Sequence, residues 1–164
     1  MSGVVPSEYA EIQDWIVGVN HYAGETTIEV KPAEIVKVCE VLKTKFGFDY
    51  LADITGVDYY EDGLRFAVSY NLVSIAGRKR LRITARLSEH EPSIHTVISV
   101  WPSANWFERE VWDMFGIRFN GHPDLRRIYM PEDFEYFPLR KEFPLIGIAG
   151  SIQTPTPDGP KPYK

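Results

Sequence analysis

Two alternating runs constrain this chain more than anything else in it. Leu64, Phe66, Val68, Tyr70 and Leu72 alternate with Arg65, Ala67, Ser69 and Asn71. Leu81, Ile83, Ala85 and Leu87 alternate with Arg80, Arg82, Thr84 and Arg86. A period of two sends every second side chain to the same face of a strand, so each run has an apolar side and a polar side. Ser74 to Gly77 separate the runs. The pattern predicts an antiparallel hairpin with one buried face and one wet face. Arg65, Arg80, Arg82 and Arg86 line the wet face; a solvated or partner-facing sheet is the ordinary use of such a row, and a phosphate or RNA site the rarer one.

The flanking segments supply helices. Residues 7–20 read as a short helix, with Ser7 as a cap and Ile12, Trp15, Ile16 and Val19 at helical spacing. Thr26 to Val30 read as a short strand. Pro32 opens a second helix at its first turn, where the missing N–H is no loss. Ile35, Val38, Cys39, Leu42 and Phe46 make its apolar stripe, and Gly47 ends it. Phe48, Tyr50, Ala52 and Ile54 then alternate as a strand. Ser93 to Trp101 fits a helix capped by Ser93 better than a strand. Asn105 to Phe115 is a helix with Asn105 and Glu108 at capping-box spacing, an apolar face of Phe107, Val111, Met114 and Phe115, and Gly116 as its stop. A mainly antiparallel sheet packed with helices is an α+β fold.

After Gly121 the chain changes character. Eight of the 12 prolines fall in residues 121–164, and neither period persists. So many prolines preclude a central strand or a long helix. Yet Tyr129, Phe134, Tyr136, Phe137 and Phe143 are large and apolar, unlike a disordered linker. The division this implies is an α+β domain over residues 1–119 and an extended Pro-rich docking arm over 120–164. The arm's aromatics must be buried on another surface, its own domain or, as the better fit, a partner. The polar stretch from Gln153 to Lys164 is expected to be mobile unless a neighbour holds it.

Charge and composition exclude several classes. The net charge is −5 and the pI near 5.4, against a dominant nucleic-acid surface. Residues 1–60 hold 4 Lys against 10 acidic residues, whereas the remainder is nearly balanced. The single cysteine, Cys39, sits among Val36, Val38, Val41 and Leu42 and reads as a buried thiol; one thiol can hold neither a disulfide nor an iron–sulfur cluster. No run reaches the ~20 apolar residues that span a bilayer. The acidic first 15 residues resemble neither a signal nor a transit peptide. The expectation is a protein on the cytoplasmic side that meets the membrane only through partners. His90, Glu91 and His95 superficially suggest a zinc-protease helix, but the histidines are five apart and Pro92 interrupts them.

The densest charged cluster runs from Trp106 to Gly116, with Glu108, Arg109, Glu110 and Asp113 inside two turns. Arg109 and Asp113, four apart, can pair on one face. His122, Asp124, Arg126, Arg127, Arg140 and Lys141 follow. An acid/base pair drawn from Glu108, Glu110 and Asp113 would need a carboxyl with a raised pKa, and Arg109 among them acts the other way. A metal site from Glu110, Asp113 and His122 has no fixed geometry. Surface ion pairs are the plain alternative. A structural ion network holding the arm, or a partner, against the helix fits best, because the planar guanidinium binds carboxylates bidentately.

Glu108-Arg-Glu110, Asp113-Met-Phe-Gly116, Gly121-His-Pro-Asp-Leu-Arg-Arg-Ile128 and Pro138-Leu-Arg-Lys141 together resemble the signature of the C-type subunit of bacterial proton-pumping NADH–quinone oxidoreductase, respiratory complex I. Leu51 to Asp58 and the hairpin also resemble that family, so the likeness covers most of the chain outside residues 1–30 and 150–164. It implies an accessory subunit of the hydrophilic arm, bracing the subunits that carry electrons from NADH to quinone. It implies subunits D, B and I as neighbours, the first of them a separate protein here. FMN and the iron–sulfur clusters would lie in partner subunits, with no cofactor, metal or catalytic residue in this chain. Glu108, Arg109, Glu110, Asp113, His122, Asp124, Arg126, Arg127 and Arg140 become structural or interfacial residues. The location implied is the bacterial inner membrane, peripheral, on the cytoplasmic side. A ferredoxin- or hydrogenase-linked relative and a free-standing hydrolase remain the alternatives.

Overall fold

The computed structural model describes residues 7–60 and 63–147, the side chains from Tyr9 onward. The side chain of the expected Ser7 cap and the tail from Gln153 lie outside the described residues. A mixed five-stranded sheet carries helices on one face, an α+β fold. The strands are β1 (Ile16–Tyr22), β2 (Glu25–Val30), β3 (Tyr50–Asp58), β4 (Phe66–Ser74) and β5 (Lys79–Leu87), in the order β1-β2-β5-β4-β3. Among the described strands of this sheet only β2 and β5 run parallel, and the other pairs are antiparallel. The predicted hairpin is β4–β5, in register from Phe66↔Leu87 to Ser74↔Lys79. Phe66, Val68, Tyr70, Leu72, Leu81, Ile83, Ala85 and Leu87 form the buried face as their spacing predicts, whereas Leu64, expected with them, lies before β4 and is exposed.

Helix α1 (Ile35–Thr44) follows a 3-10 turn begun by Pro32, and buries Ile35, Val38, Cys39 and Leu42 on that face. Beyond it the Phe48 N–H bonds the Leu42 carbonyl at 3.0 Å while Gly47 takes φ +70°, a left-handed stop that glycine adopts without strain.

The amino-terminal helix is shorter than its spacing predicts. A 3-10 helix covers Ser7–Trp15, kinked at Tyr9, and the chain then turns into β1. Ile16, Val17 and Val19 are β-branched and pack better on a pleated surface than in a helix. Ala23 and Gly24, both at positive φ, make the tight turn that pairs Tyr22 with Glu25. Ser93–Trp101 is also corrected. Its first residues form β6 (Ser93–His95), parallel to β7 (Arg118–Asn120), and a single turn closes over Val97–Trp101. In β3 a register shift between Leu51 and Asp53 reverses the expected phase: Leu51 is buried and Tyr50 exposed.

Helix α2 (Ala104–Phe115) lies against β3. Phe115 packs so closely on Gly56 that a Cβ there would sit 2.5 Å from the ring. The helix has no capping box. Ser103 is its N-cap residue, without a side-chain bond, and Glu108 turns inward instead. Gly116, at φ 71°, ends it as predicted.

Candidate functional site: the charged helix and its arm

Burial on α2 inverts the ordinary hydrophobic order. Glu108, Arg109 and Asp113 are buried, whereas Trp106 and Glu110 are exposed and Phe107 and Phe115 only half-buried. The reason is position. One side of the helix faces the sheet, and residues 121–147 lie across its other side.

Asp113 is the centre of that contact. Its Oδ2 accepts three consecutive backbone N–H groups, from Ile128 at 3.0 Å, Tyr129 at 2.7 Å and Met130 at 3.0 Å. Its Oδ1 accepts Arg127 Nη1 at 2.7 Å. Burial works against ionisation here, but the four donors together outweigh it and hold the carboxyl below its ordinary range. Arg127 also donates to the Asp113 and Tyr136 carbonyls and stands over the rings of Phe134 and Phe137. Arg109, expected to pair with Asp113, instead donates to the carbonyls of Arg126 at 3.1 Å and Arg127 at 3.2 Å, and covers Trp106.

The same segment caps the helix. The last four carbonyls of a helix lack intrahelical partners. In α2 the Trp112 oxygen takes the Gly116 N–H, Asp113 takes Arg127, Met114 takes the Leu139 N–H at 3.1 Å, and Phe115 takes Arg140 Nε at 2.7 Å. Two guanidinium groups thus sit at the negative end of the helix dipole. A Cβ on Gly116 would meet the Phe137 ring at 2.6 Å and Arg140 Nη2 at 2.7 Å, so the arm needs a glycine there for space as well as for φ.

Farther along, the arm reaches a second ion cluster that the alternation does not reveal. The alternation puts Arg65 on the wet face, but it is buried and binds Asp58 with both Nε, at 2.9 Å, and Nη2, at 2.7 Å. It also pairs with Glu89 and Glu142. Asp58 accepts the Tyr60 N–H and, from the arm, the Lys141 N–H at 2.8 Å. The bond from Arg65, with the backbone donors, lowers the Asp58 carboxyl to about 2.

Glu108 belongs to a different environment. It is fully buried; Thr96 Oγ1 donates to Oε2 at 2.5 Å and the Val97 N–H donates to Oε1 at 2.8 Å. Burial pushes its carboxyl up to about 7. That range suits acid/base chemistry, but both oxygens are taken by protein donors and no part of the side chain reaches solvent. His122 Nε2 lies 4.0 Å from Glu108. The His122 Nδ1 accepts the Asp124 N–H at 3.0 Å, which leaves the ring proton on Nε2, 3.2 Å from the Asn105 carbonyl. His122 thus ties the start of the arm to the start of α2.

Of the expected residues, Glu108, Arg109, Asp113, His122, Arg127 and Arg140 converge on α2. Glu110 faces solvent, and Asp124 and Arg126 pair with each other on the surface at 3.0 Å, a contact worth little. Among the described residues no three His, Cys, Asp or Glu side chains gather in a metal-binding arrangement. Cys39 is buried, and burial raises its thiol well above the ordinary range, so it is no ready nucleophile.

The buried ionic groups of α2 are bound to backbone, which defines a class of protein: an α+β domain whose charged helix serves as a mount for an extended segment. The profile of the respiratory-chain NADH dehydrogenase 30 Kd subunit family matches residues 28–148. The chain is 51% identical over 141 residues to the NADH-quinone oxidoreductase subunit named C 2 in Rhizobium meliloti, covering 85% of this chain and 77% of that protein. It is 44% identical over 150 residues to the C-type subunit of the NADH-quinone oxidoreductase of Geobacter metallireducens, covering 91% and 86%. Among solved structures, a trypsin-resistant fragment (1-134) of Nqo5 superposes with a TM-score of 0.61 at 38% identity, over 72% of this chain and 95% of the fragment. A chain of an archaeal membrane-bound sulfane sulfur reductase shares the fold, with a TM-score of 0.68 at 23% identity over 78% and 77% of the two chains. This chain belongs to the complex I 30 kDa subunit family, that of the C-type subunits of NADH-quinone oxidoreductase.

Proposed function

We propose that this chain is an accessory structural subunit of the hydrophilic arm of a proton-pumping NADH–quinone oxidoreductase. It braces the subunits that carry electrons from NADH to quinone and holds no catalytic residue, flavin, cluster or quinone itself. Its neighbours are subunits D, B and I, and it meets the membrane on the cytoplasmic side through them; no helix among the described residues is long and apolar enough to cross a bilayer. The domain of residues 1–119 carries the arm of residues 120–164; Arg109, Asp113, His122, Arg127 and Arg140 fix residues 121–147 of it on α2, and Glu108 anchors Thr96 and Val97 beneath the same helix. Glu110 and the Asp124–Arg126 pair, at the solvent edge of the same region, are exposed where a neighbour can reach them.

The observation that carries this reading is the seating of residues 128–130 on Asp113. Tyr129, Leu139, Leu145 and Ile146 of the arm and Trp106 of α2 are left exposed. A rigid mount bearing apolar side chains and arginine is suited to a protein interface. A neighbour that covers them gains a fixed reference, which an electron-transfer site needs though the brace never touches it.

The test is purification of the tagged chain from mildly solubilised native membranes. Subunits D, B and I and NADH:quinone reductase activity should come with it. Tyr129→Ala combined with Leu139→Ala should lower co-purification at least fivefold while the chain stays folded. Normal recovery of all three subunits by the double variant would refute the role of the arm. Deleting the whole arm is a poorer instrument, because it also uncaps α2.

A further inference from the structure

The face of the sheet opposite α1, α2 and the arm carries a trough that the bracing role does not use. Three hollows form it, each sharing lining residues with the next. The first, about 760 Å³, lies at the hairpin tips between Tyr50, Ile75, Arg80 and Arg82. The second, about 420 Å³, shares Asn71 and Arg82 with it, and the third, about 650 Å³, shares Thr27, Tyr59 and Thr84 with the second. Tyr50 opens β3 and Tyr59 follows its end, so the trough runs along the strands. At ~3.3 Å per residue it is long enough for roughly six to nine residues of extended chain.

The lining has the composition of an interface. Its middle is rich in hydrogen-bonding groups and charged only at Arg82, which is paired with Glu25, and Ser69 and Thr84 are bonded to each other at 3.1 Å. Exposed apolar side chains stand at the ends: Tyr50 is 52% and Ile75 64% exposed at one, and Tyr59 is 45% exposed at the other, under Arg86 at 4.1 Å. Aromatic and arginine side chains around a core poor in charge mark protein contact surfaces.

Charge then selects the occupant. Arg78, Lys79, Arg80, Arg82 and Arg86 fall within nine residues of a chain whose net charge is −5. Arg82 is already committed to Glu25 and Asn71, each at 3.0 Å. Arg78 and Arg80 form no ion pair with the described residues, and Arg80 lines the trough. Glu25 and Glu29 also border it. A phosphodiester backbone, with a charge at every step, would meet those carboxylates; a peptide can place its few acids only opposite Arg80 in the lining and Arg78 in the adjoining β4–β5 turn.

We propose that this trough receives an extended acidic segment of a partner protein, with carboxylates on Arg80 and Arg78 and an apolar side chain between Tyr50 and Ile75. Electrostatic complementarity of this kind fixes register and selects the partner. The surface is distinct from the outer side of the arm, so the two can be tested separately.

The test places a photo-crosslinking amino acid at Ile75, and in a separate strain at Leu139, in the chain assembled in its own host. Irradiation, purification and mass spectrometry then identify the crosslinked peptide. The expected adduct at Ile75 is a protein segment carrying at least two acidic residues within about ten. Arg80→Glu with Arg78→Glu should lower its yield at least fivefold, Arg80→Gln should lower it less, and the Leu139 adduct should be unchanged, which shows that the chain is still folded. Replacing the acids of the captured segment by lysine should restore the yield in the charge-reversed chain. The proposal is overturned by an Ile75 adduct to lipid or nucleic acid, by a segment without acids, by a yield indifferent to Arg80 and Arg78, or by no adduct while Leu139 still crosslinks.

Discussion

Replacing Asp113 by Asn isolates the contact on which the arm depends. The side chain keeps its size, so packing survives. Its remaining carbonyl oxygen can still receive the N–H groups of residues 128–130. Its amide nitrogen then faces Arg127 Nη1, where Oδ1 accepted at 2.7 Å, and two donors oppose each other. Losing a hydrogen bond to a charged group costs about 1.5–3 kcal/mol, and stripping one partner from a buried ion pair about 3–5 kcal/mol. Arg127 retains the Asp113 and Tyr136 carbonyls and two aromatic faces, which places the loss near the lower end, about 3 kcal/mol. Because the sheet makes none of these contacts, the change should appear as local opening of the arm and not as global unfolding. An energy of ~3 kcal/mol is roughly a 100-fold change in that opening equilibrium. Native-state amide hydrogen exchange reads it directly. Exchange at Ile128, Tyr129, Met130 and Leu139 should accelerate by about that factor, while amides of β4 and β5 stay protected. An acceleration below about fivefold at residues 128–130, or an equal acceleration in the sheet, would refute the reasoning.

Other consequences can be measured on the purified chain. Gly56→Ala puts a methyl 2.5 Å from the Phe115 ring and should destabilise by about 1–3 kcal/mol in urea unfolding, with part recovered by adding Phe115→Leu. Gly116→Ala combines a left-handed φ with a clash on Phe137, and should lower Tm by several degrees and raise exchange at Leu139. Glu108 binds a proton more tightly folded than unfolded, so stability should fall by about 3 kcal/mol as pH rises from about 4.5 to about 7; Glu108→Gln should abolish that slope. Asp58 acts with the opposite sign: its stabilising effect is complete above about pH 4 and is lost as pH falls toward about 2, and Asp58→Asn should remove the acid-side decline it causes.

Local periodicity carried much of the fold. The β4–β5 hairpin, α1, α2 and the glycine stops at 47 and 116 each follow from spacing within one segment. The failures share a cause, a partner that is distant in sequence. Ile16 and Val19 continue the helical spacing of Ile12 and Trp15, and only the turn at Ala23 and Gly24 with pairing to β2 makes them a strand. Ser93 to His95 extend because they pair with Arg118 to Asn120. The register shift in β3 depends on β4, and no alternation in Tyr50 to Ile54 announces it. The charged cluster on α2 is conspicuous in the sequence, but its burial is not, since what covers it is an arm without regular structure. Arg65 and Glu142, 77 residues apart, meet only once the arm is laid down.

The chemistry of the arm explains why that cluster is charged. Residues 121–147 contain four prolines, and the backbone bonds among them close short turns, such as Phe134 N–H to Pro131 and Phe143 N–H to Arg140. Their other backbone groups, half-covered by α2, still need partners. Carboxylates serve the donors: Asp113 takes three N–H groups and Asp58 takes Lys141. Guanidinium groups serve the acceptors: Arg109 and Arg127 reach the carbonyls of residues 126, 127 and 136. Each of these charges thus replaces a hydrogen bond that a helix or a sheet would have made within the segment. The aromatic rings that stack on Arg127 and Arg140 then exclude water from those bonds. An uncharged α2 could bury the rings but not the backbone between them, and the arm would have no fixed path across it.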